Sequence, residues 1–355
     1  MKLHIFNPEH DLALAAHLRQ FTAPHAGRQL RSDLAFIPAL WADQGDLVLV
    51  DDIDNARDKV RHLGEHLLEK VEFITKLQLE HLLKTEFIDC VHPWGWDLSL
   101  KGELERIGLP EIMLPTDDVL DKVRAISSRQ WAAEHLQQDV VYADNFALVK
   151  ECVMKWGKAV VKAPWSSSGR GVKYVSADEF RTNGEYPAFQ RWVSNIIFRQ
   201  GGVTVEPYYN KVKDFGMEFE MRDGKVHYLG LSFFDTVKNA YTGNLLCSEE
   251  EKMELMKKYV SEDALSSARQ KIIGVVEPAL KEYYNGPFGV DMMIAAKDGE
   301  LELVSCIELN LRRTMGHVAL ELAKITKPQS LMRVDFDGNR YHLRVMPGKQ
   351  AVNES

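Results

Sequence analysis

The chain has 355 residues, 45% of them hydrophobic and 27% charged, with a formal net charge of -8. This is a globular balance with room for two or three cores, and it excludes a disordered or fibrous chain. No dense Lys/Arg tract gives a footprint for nucleic acid or an anionic membrane, and no apolar run reaches bilayer length.

Read from the N-terminus, a short apolar strand at 3–6 runs into the turn NPEHD and the helical pattern LALAAHL. A second strand, DLVLVDD at 46–52, precedes a long charged helical stretch, and a third, FIDCVHP, ends in WGWD. Such alternation predicts a small α/β domain with a parallel sheet over residues 1–115. Ligands of such sheets sit beyond the carboxyl ends of the strands. That puts Asn7, Glu9, His10 and Asp11 on one rim with His92, Trp94, Trp96 and Asp97. For any one of them, helix capping by Asn7 or Asp11, or packing of the tryptophans between domains, is the preferred reading.

From 114, LPTDDVLDKVRAISSRQWAAEHL begins as a loop and becomes a helix with Val123, Ile126 and Trp131 toward its buried side. Next comes VVKAPWSSSGRGV at 160–172, an apolar strand carrying Lys162, a loop of small residues and a returning strand. Closely spaced backbone N–H groups in such a loop suit phosphate oxygens. It is not a Walker P-loop, because the lysine precedes the glycines and no helix follows, and an exposed hairpin loop would carry the same residues. SADEF is a capped helix start, VTVEPYY a strand, and MEFEMRDGKVHYLGLSFF a hairpin joined at Asp223-Gly224. SFFDTVKNAYTGN reads as a loop between sheet and helix. SEEEKMELMKKY opens on a Ser248/Glu251 capping box, and SARQKIIGVVEPALKEYY is an amphipathic helix. The four cysteines, Cys90, Cys152, Cys247 and Cys306, are widely spaced without a CxxC pair. They indicate neither zinc nor a disulfide framework, and with no signal-peptide core at the N-terminus the expected compartment is the cytoplasm.

A last hairpin, GVDMMIAA and ELELVSCIELNL around a second Asp-Gly, places Asp291 in one strand and Glu308 and Asn310 in the next. The spacing of two sets 308 and 310 on one face. A lone carboxylate in such apolar surroundings is costly, whereas two carboxylates and an amide beside phosphate oxygens suit Mg²⁺.

From about Leu120 to Ala323 the chain resembles the ATP-grasp family of ATP-dependent carboxylate-amine ligases. DKVRAI, VVKAPWSSSGRGV, VEPYYNKVKD, GPFGVDMM and IELNLRRTMGH occur in that family's order. The resemblance implies an α/β, in part α+β, chain: a Rossmann-like pre-grasp domain at 1–115, a grasp lid subdomain at 116–204, a larger subdomain at 205–330, and a C-terminal hairpin and tail at 331–355. It implies ATP and Mg²⁺ as cofactors. Lys122 and Lys162 resemble the lysines on the phosphates, and Ser166, Ser167, Ser168, Gly169, Arg170 and Gly171 the loop that folds over them. Glu206 and the backbone at Tyr208 resemble the adenine hinge. Asp214, with Glu218 as the alternative, falls at the ribose, and Asp291, Glu308 and Asn310 at the metal. Arg312, with Arg313 in reserve, matches the arginine that steadies substrate and acyl phosphate, a role that suits its two parallel N–H donors. One departure is Gly289, where some members have an arginine.

The implied reaction joins a small-molecule carboxylate to an amine through an acyl phosphate, releasing ADP. A hydroxyl, thiol or protein acceptor, or a nucleotide-binding protein without turnover, are the other readings. Residues 165–171 are expected to order only over bound nucleotide. His10, Trp94, Phe233, Phe234, Tyr241 and Asn244 are the candidates for an acceptor site, and the oligomeric state is left open.

Overall fold

In the computed structural model, which describes residues 1–166, 171–182, 186–237 and 240–347, sixteen strands among these residues form four sheets of four. β1 (Lys2–Ile5), β2 (Asp46–Leu49), β3 (Val71–Ile74) and β4 (Cys90–Pro93) make an all-parallel sheet in the order β3-β2-β1-β4. β1 and β2 are short, nearly continuous apolar runs because helices cover both faces of such a sheet. β3 corrects the helical reading of the stretch after 52. Its four residues separate helices Ile53–Arg61 and Glu65–Leu68 from Lys76–Leu82, a run too short to show a period between charged flanks.

The other sheets are antiparallel. β5 (Val141–Ala143), β6 (Lys158–Lys162), β7 (Val172–Ser176) and β8 (Val203–Pro207) lie in the order β5-β8-β6-β7. β9 (Asn210–Arg222), β10 (Lys225–Ser232), β11 (Phe234–Val237), β12 (Ala240–Leu246), β13 (Gly286–Lys297), β14 (Glu300–Asn310), β15 (Ser330–Phe336) and β16 (Tyr341–Pro347) build two more, β10-β9-β13-β14 and β11-β12-β15-β16. Both Asp-Gly turns form as read. Arg222 pairs with Lys225 and Lys297 with Glu300, and Asp223, Gly224, Asp298 and Gly299 all have positive φ, the two-residue turn that matches strand twist. The segment after Ser232, read as a loop, instead supplies β11 and β12.

Alternation along β9 and β13 separates core from site. Phe215, Met217, Phe219 and Met221 join Phe288, Val290, Met292 and Ile294 against Leu265, Ile272, Val276 and Leu280 of helix Glu262–Leu280. The intervening Asp214, Gly216, Glu218, Gly289 and Asp291 take the opposite face. A register shift after Asp291 sets it directly across from Glu308, a bulge that re-aims the side chains beyond it. The helical pattern from 114 divides into Asp117–Ile126 and Arg129–His135, the second capped by Ser128. Val123 and Ile126 are buried, while Trp131 is partly buried and stacked on His135.

The hairpin expected at 331–355 is β15 and β16, and it is no appendage. β15 pairs with β12, and Met332, Val334, Tyr341, Leu343 and Val345 pack into one core with Phe6, Leu34, Val48 and Trp94. The four cysteines are free thiols, and no helix among the described residues is long and apolar enough to cross a membrane.

Candidate active site

A cleft of about 550 Å³ opens between the sheet of β5 to β8 and the sheet of β9, β13 and β14. Val160 of β6 lies opposite Glu206 of β8, so Lys162, two residues on, shares that face and meets Glu206 at 2.5 Å with both side chains buried. Tyr208 lines the cleft with its ring, over which Lys158 Nζ sits 3.5 Å from the centroid. The Tyr208 backbone N–H donates to the Lys158 carbonyl at 3.0 Å and is therefore already used. Asp214, 2.5 Å from Lys211 Nζ, lines the cleft, and Glu218 does not.

The loop between β6 and β7 is pinned at its base. The Ala163 N–H donates to the Gly171 carbonyl at 2.8 Å, Trp165 Nε1 donates to the Arg124 carbonyl at 3.1 Å, and the Arg124 guanidinium lies 3.7 Å from the indole centroid. Ser167, Ser168, Gly169 and Arg170, and with them the expectation about loop ordering, lie outside the described residues.

Lys122 is not in the cleft lining. Its helix buries Leu120, Val123 and Ile126 and turns Lys122 outward, where Nζ lies 5.2 Å from the Tyr283 ring centroid. The cation that does reach the site is Arg129. It is buried and donates to the Ala163 carbonyl at 2.7 Å, Ser166 Oγ at 2.8 Å and Glu308 Oε1 at 2.6 Å. Sequence reasoning passed over it, although one signal was there: an arginine at the first position of a helix opposes the helix dipole and needs some other reason to be there.

Asp291, Glu308 and Asn310 come together. Asp291 and Glu308 are cross-strand partners, and Asn310 Nδ2 donates to Asp291 Oδ2 at 3.3 Å. Burial, then Glu308 and Glu218, pushes the Asp291 carboxyl up to about 7. The two carboxylates suit a hard divalent cation, which would relieve the repulsion that raises Asp291, while the Asn310 amide turns its nitrogen to Asp291 and its oxygen to Arg312. No group of three His, Cys, Asp or Glu residues suited to a metal occurs among the described residues.

These residues also border a chamber of about 380 Å³ that shares Arg129, Phe234, Asp291 and Glu308 with the cleft. Arg312 lines it, gripped by Asp11 through Nε at 2.8 Å and Nη2 at 2.7 Å, and Nη2 also donates to Asn310 Oδ1 at 2.9 Å. Burial alone would push Asp11 up, but Arg312 overrides this and holds it below the usual carboxylate range. Arg313 faces elsewhere. It packs 4.1 Å from the Trp41 ring centroid, and burial lowers it to about 10.

The NPEHD and WGWD segments meet, as their places after the adjacent strands β1 and β4 require. Asn7 Nδ2 donates to the Gly95 carbonyl at 2.8 Å and Asp97 Oδ2 accepts from His10 Nδ1 at 3.0 Å, while Asp97 Oδ1 caps helix Leu98–Ile107. Asp11 thus caps nothing and serves Arg312 instead. Of the acceptor candidates, Trp94, Phe234 and Asn244 line the chamber. His10 borders a narrow space beside Ser166, Glu308 and Asn310, Phe233 is in the core, and the Tyr241 side chain lies outside the described residues.

Glu218, the alternative to Asp214 in the sequence, lies apart from the cleft. It is 2% exposed at the chamber wall and accepts from Ser232 Oγ at 2.7 Å and Thr314 Oγ1 at 2.8 Å. His317 Nδ1 lies 3.1 Å from it but accepts the Thr314 N–H, and Nε2 sits 3.1 Å from the Phe219 carbonyl, so this contact is not an ion pair. Burial lowers His317 to about 3, which keeps the ring neutral. A Cβ on Gly316 would come within 1.9 Å of Glu218 Oε1 and one on Gly289 within 2.6 Å of Oε2, so those glycines make room for the carboxylate.

No protein-family model and no curated protein matches the sequence. Solved structures do match the fold. N5-carboxyaminoimidazole synthetase from Staphylococcus aureus, complexed with ADP, is 10% identical with a TM-score of 0.50, over 95% of this chain and 83% of that one. The biotin carboxylase domain of the Hydrogenobacter thermophilus 2-oxoglutarate carboxylase, in complex with MgADP, ADP and bicarbonate, is 13% identical with a TM-score of 0.52, over 94% and 74%. Phosphoribosylamine–glycine ligase from Thermotoga maritima is 12% identical with a TM-score of 0.53, over 94% and 80%. At TM-scores of 0.50 to 0.53 over nearly the whole chain these likenesses show the architecture: the chain has the ATP-grasp fold.

Proposed function

We propose that the protein is an ATP- and Mg²⁺-dependent ligase that activates a substrate carboxylate as an acyl phosphate and transfers the acyl group to an amine. The observation that carries this reading is the junction. Asp291 and Glu308 stand where the cleft opens into the chamber, with Arg129 spanning both and Asn310 and Arg312 on the chamber side. The cleft is the nucleotide site, with Lys162 toward the phosphates, Glu206 and Tyr208 toward the base and Asp214 toward the ribose. Ser166 and Gly171, which flank the loop, take the phosphate side.

Asp291, Glu308 and Asn310 would hold Mg²⁺, which supplies charge neutralisation along the phosphates. The substrate carboxylate attacks the γ-phosphorus, the bond to ADP breaks, and an acyl phosphate forms. The amine then attacks the carbonyl carbon, loses a proton and expels phosphate. Arg129 and Arg312 are fixed in advance, by Glu308 and by Asp11 and Asn310, so they stabilise developing charge without reorganising. Arg313, which borders a different cavity, holds the Trp94 carbonyl through its backbone N–H at 2.8 Å.

The test is a screen of carboxylic acids for ATP consumption with hydroxylamine in place of the amine. An activating acid gives ADP and a hydroxamate. Acid-dependent ADP release that yields a stable phosphorylated alcohol and no hydroxamate replaces the ligase with a kinase-like enzyme.

A further inference from the structure

Glu218 presents an imbalance that the nucleotide chemistry leaves unused. Its carboxylate is buried at the chamber wall with two hydroxyl donors, and among the described residues no lysine or arginine reaches it. The start of helix Met315–Ile325 gives it no backbone donor, because the Gly316 and His317 N–H groups go to Thr314 Oγ1 at 3.1 and 3.3 Å. Three glycines hold that space open. Besides Gly289 and Gly316, a Cβ on Gly216 would come within 2.8 Å of Ser232 Oγ, the hydroxyl that binds Glu218. A buried carboxylate with unfilled lone pairs beside a cavity is a seat for a cation.

The rest of the chamber is of another character. Phe6, Leu30, Leu34, Trp94, Met315 and Val334 form an apolar wall contributed by the N-terminal domain, the helix after Thr314 and β15. At about 380 Å³ the space has the size of a small-molecule site. Asp291, Glu308 and Arg129, where the acyl group would be activated, line the same chamber.

We propose that this chamber receives the second substrate as a primary amine bearing an apolar substituent, with its ammonium on Glu218 and its apolar part on the Phe6, Leu34, Trp94 and Met315 wall. The assignment rests on the ligase reading above for the identity of the nucleophile. Burial raises Glu218 to about 7, against the weaker pull of Ser232, Thr314, Arg312 and Lys252, and a bound ammonium would hold it ionised at neutral pH. Charge and apolar contact then select together. A bare ammonium ion satisfies Glu218 alone and leaves the apolar wall uncovered.

The experiment uses the full chain with Mg²⁺ and ADP present and titrates ethyl-, butyl- and hexylammonium chloride by calorimetry. Affinity is expected to rise about three- to fourfold per methylene. Glu218→Gln should weaken every member about tenfold or more, since an ammonium loses a charge-assisted partner. Leu30→Ser, at a half-buried wall position, should flatten the dependence on chain length while keeping the effect of the Glu218 charge. Absence of saturable binding, equal affinity in Glu218→Gln, or an unchanged slope in Leu30→Ser overturns the assignment. ADP affinity on the same samples separates the two readings: a chain that does not bind ADP sinks the ligase, and one that binds ADP but ignores the alkylammonium series sinks only the amine chamber.

Discussion

The cleft and the chamber share Arg129, Phe234, Asp291 and Glu308 but hold charge in opposite ways. In the cleft, Lys162 has Glu206 beside it and Lys211 has Asp214, both at 2.5 Å, while Lys158 sits over the Tyr208 ring. In the chamber, Arg312 is committed to Asp11 and Asn310, and Glu218 is left with hydroxyls. Paired charges keep buried cations ionised before a ligand arrives, whereas an unmatched buried carboxylate marks where a ligand of opposite sign belongs. On the proposed reading, one region receives a polyanion and the other a cation.

The largest effect is expected at the residues the two regions share. Glu308→Gln removes the carboxylate between Arg129 and the proposed metal, and acid-dependent ADP release should fall about a thousandfold, measured in a coupled assay. An unchanged rate would move the chemistry away from the junction and dissolve the comparison.

A smaller effect separates the regions by pH. Glu218 is held above its unfolded value of 4.5, at about 7, so its contribution to stability is full below about 4.5 and is lost as pH rises through about 7. Asp291 titrates in the same window, with burial, Glu308 and Glu218 raising it and Arg312 lowering it. Denaturant melts of Glu218→Gln should therefore gain about 3 kcal/mol on the native chain between pH 4.5 and 8. Parallel stability curves for the two chains would mean that Glu218 carries a counter-charge after all.

The smallest effect sharpens the cleft. Lys122→Ala should leave ATP affinity within about twofold and cost about 0.5 kcal/mol of stability, the scale of an exposed cation–π contact with Tyr283. Lys162→Ala, measured alongside it, should lose most of the affinity. Equal losses in the two variants would return Lys122 to the phosphates.

What could be read from the sequence follows the same division. Asp291, Glu308 and Asn310 lie on a hairpin whose alternation and Asp-Gly turn fix their faces locally, so a short window was enough to bring them together. The chamber joins Phe6, Asp11 and Trp94 to Glu218, Asn244, Arg312 and Val334, and no window spans a contact such as Asp11 to Arg312. That Lys122 lies off the cleft lining was not legible because the face of its helix depends on what covers Leu120 and Val123. Arg129 was missed because its partners, Ala163, Ser166 and Glu308, come from elements made later in the chain. β11 and β12 were hidden because a strand of few residues is legible only beside its neighbour, here β15.

The covering of the N-terminal sheet by β15 and β16 bears on how the protein is made. Phe6, Leu34, Val48 and Trp94 share a core with Leu246, Val318, Leu322 and Met332, and Asp33 Oδ2 accepts the Tyr341 N–H at 2.8 Å. At roughly 5–20 residues per second on the ribosome, on the order of 10 to 50 seconds pass between the synthesis of Trp94 and that of Met332. For that interval the nascent first domain, a natural client for a chaperone, keeps exposed the part of its core that Leu246, Val318, Leu322 and Met332 will cover. Its release into the finished protein has to wait for the strand that brings Met332.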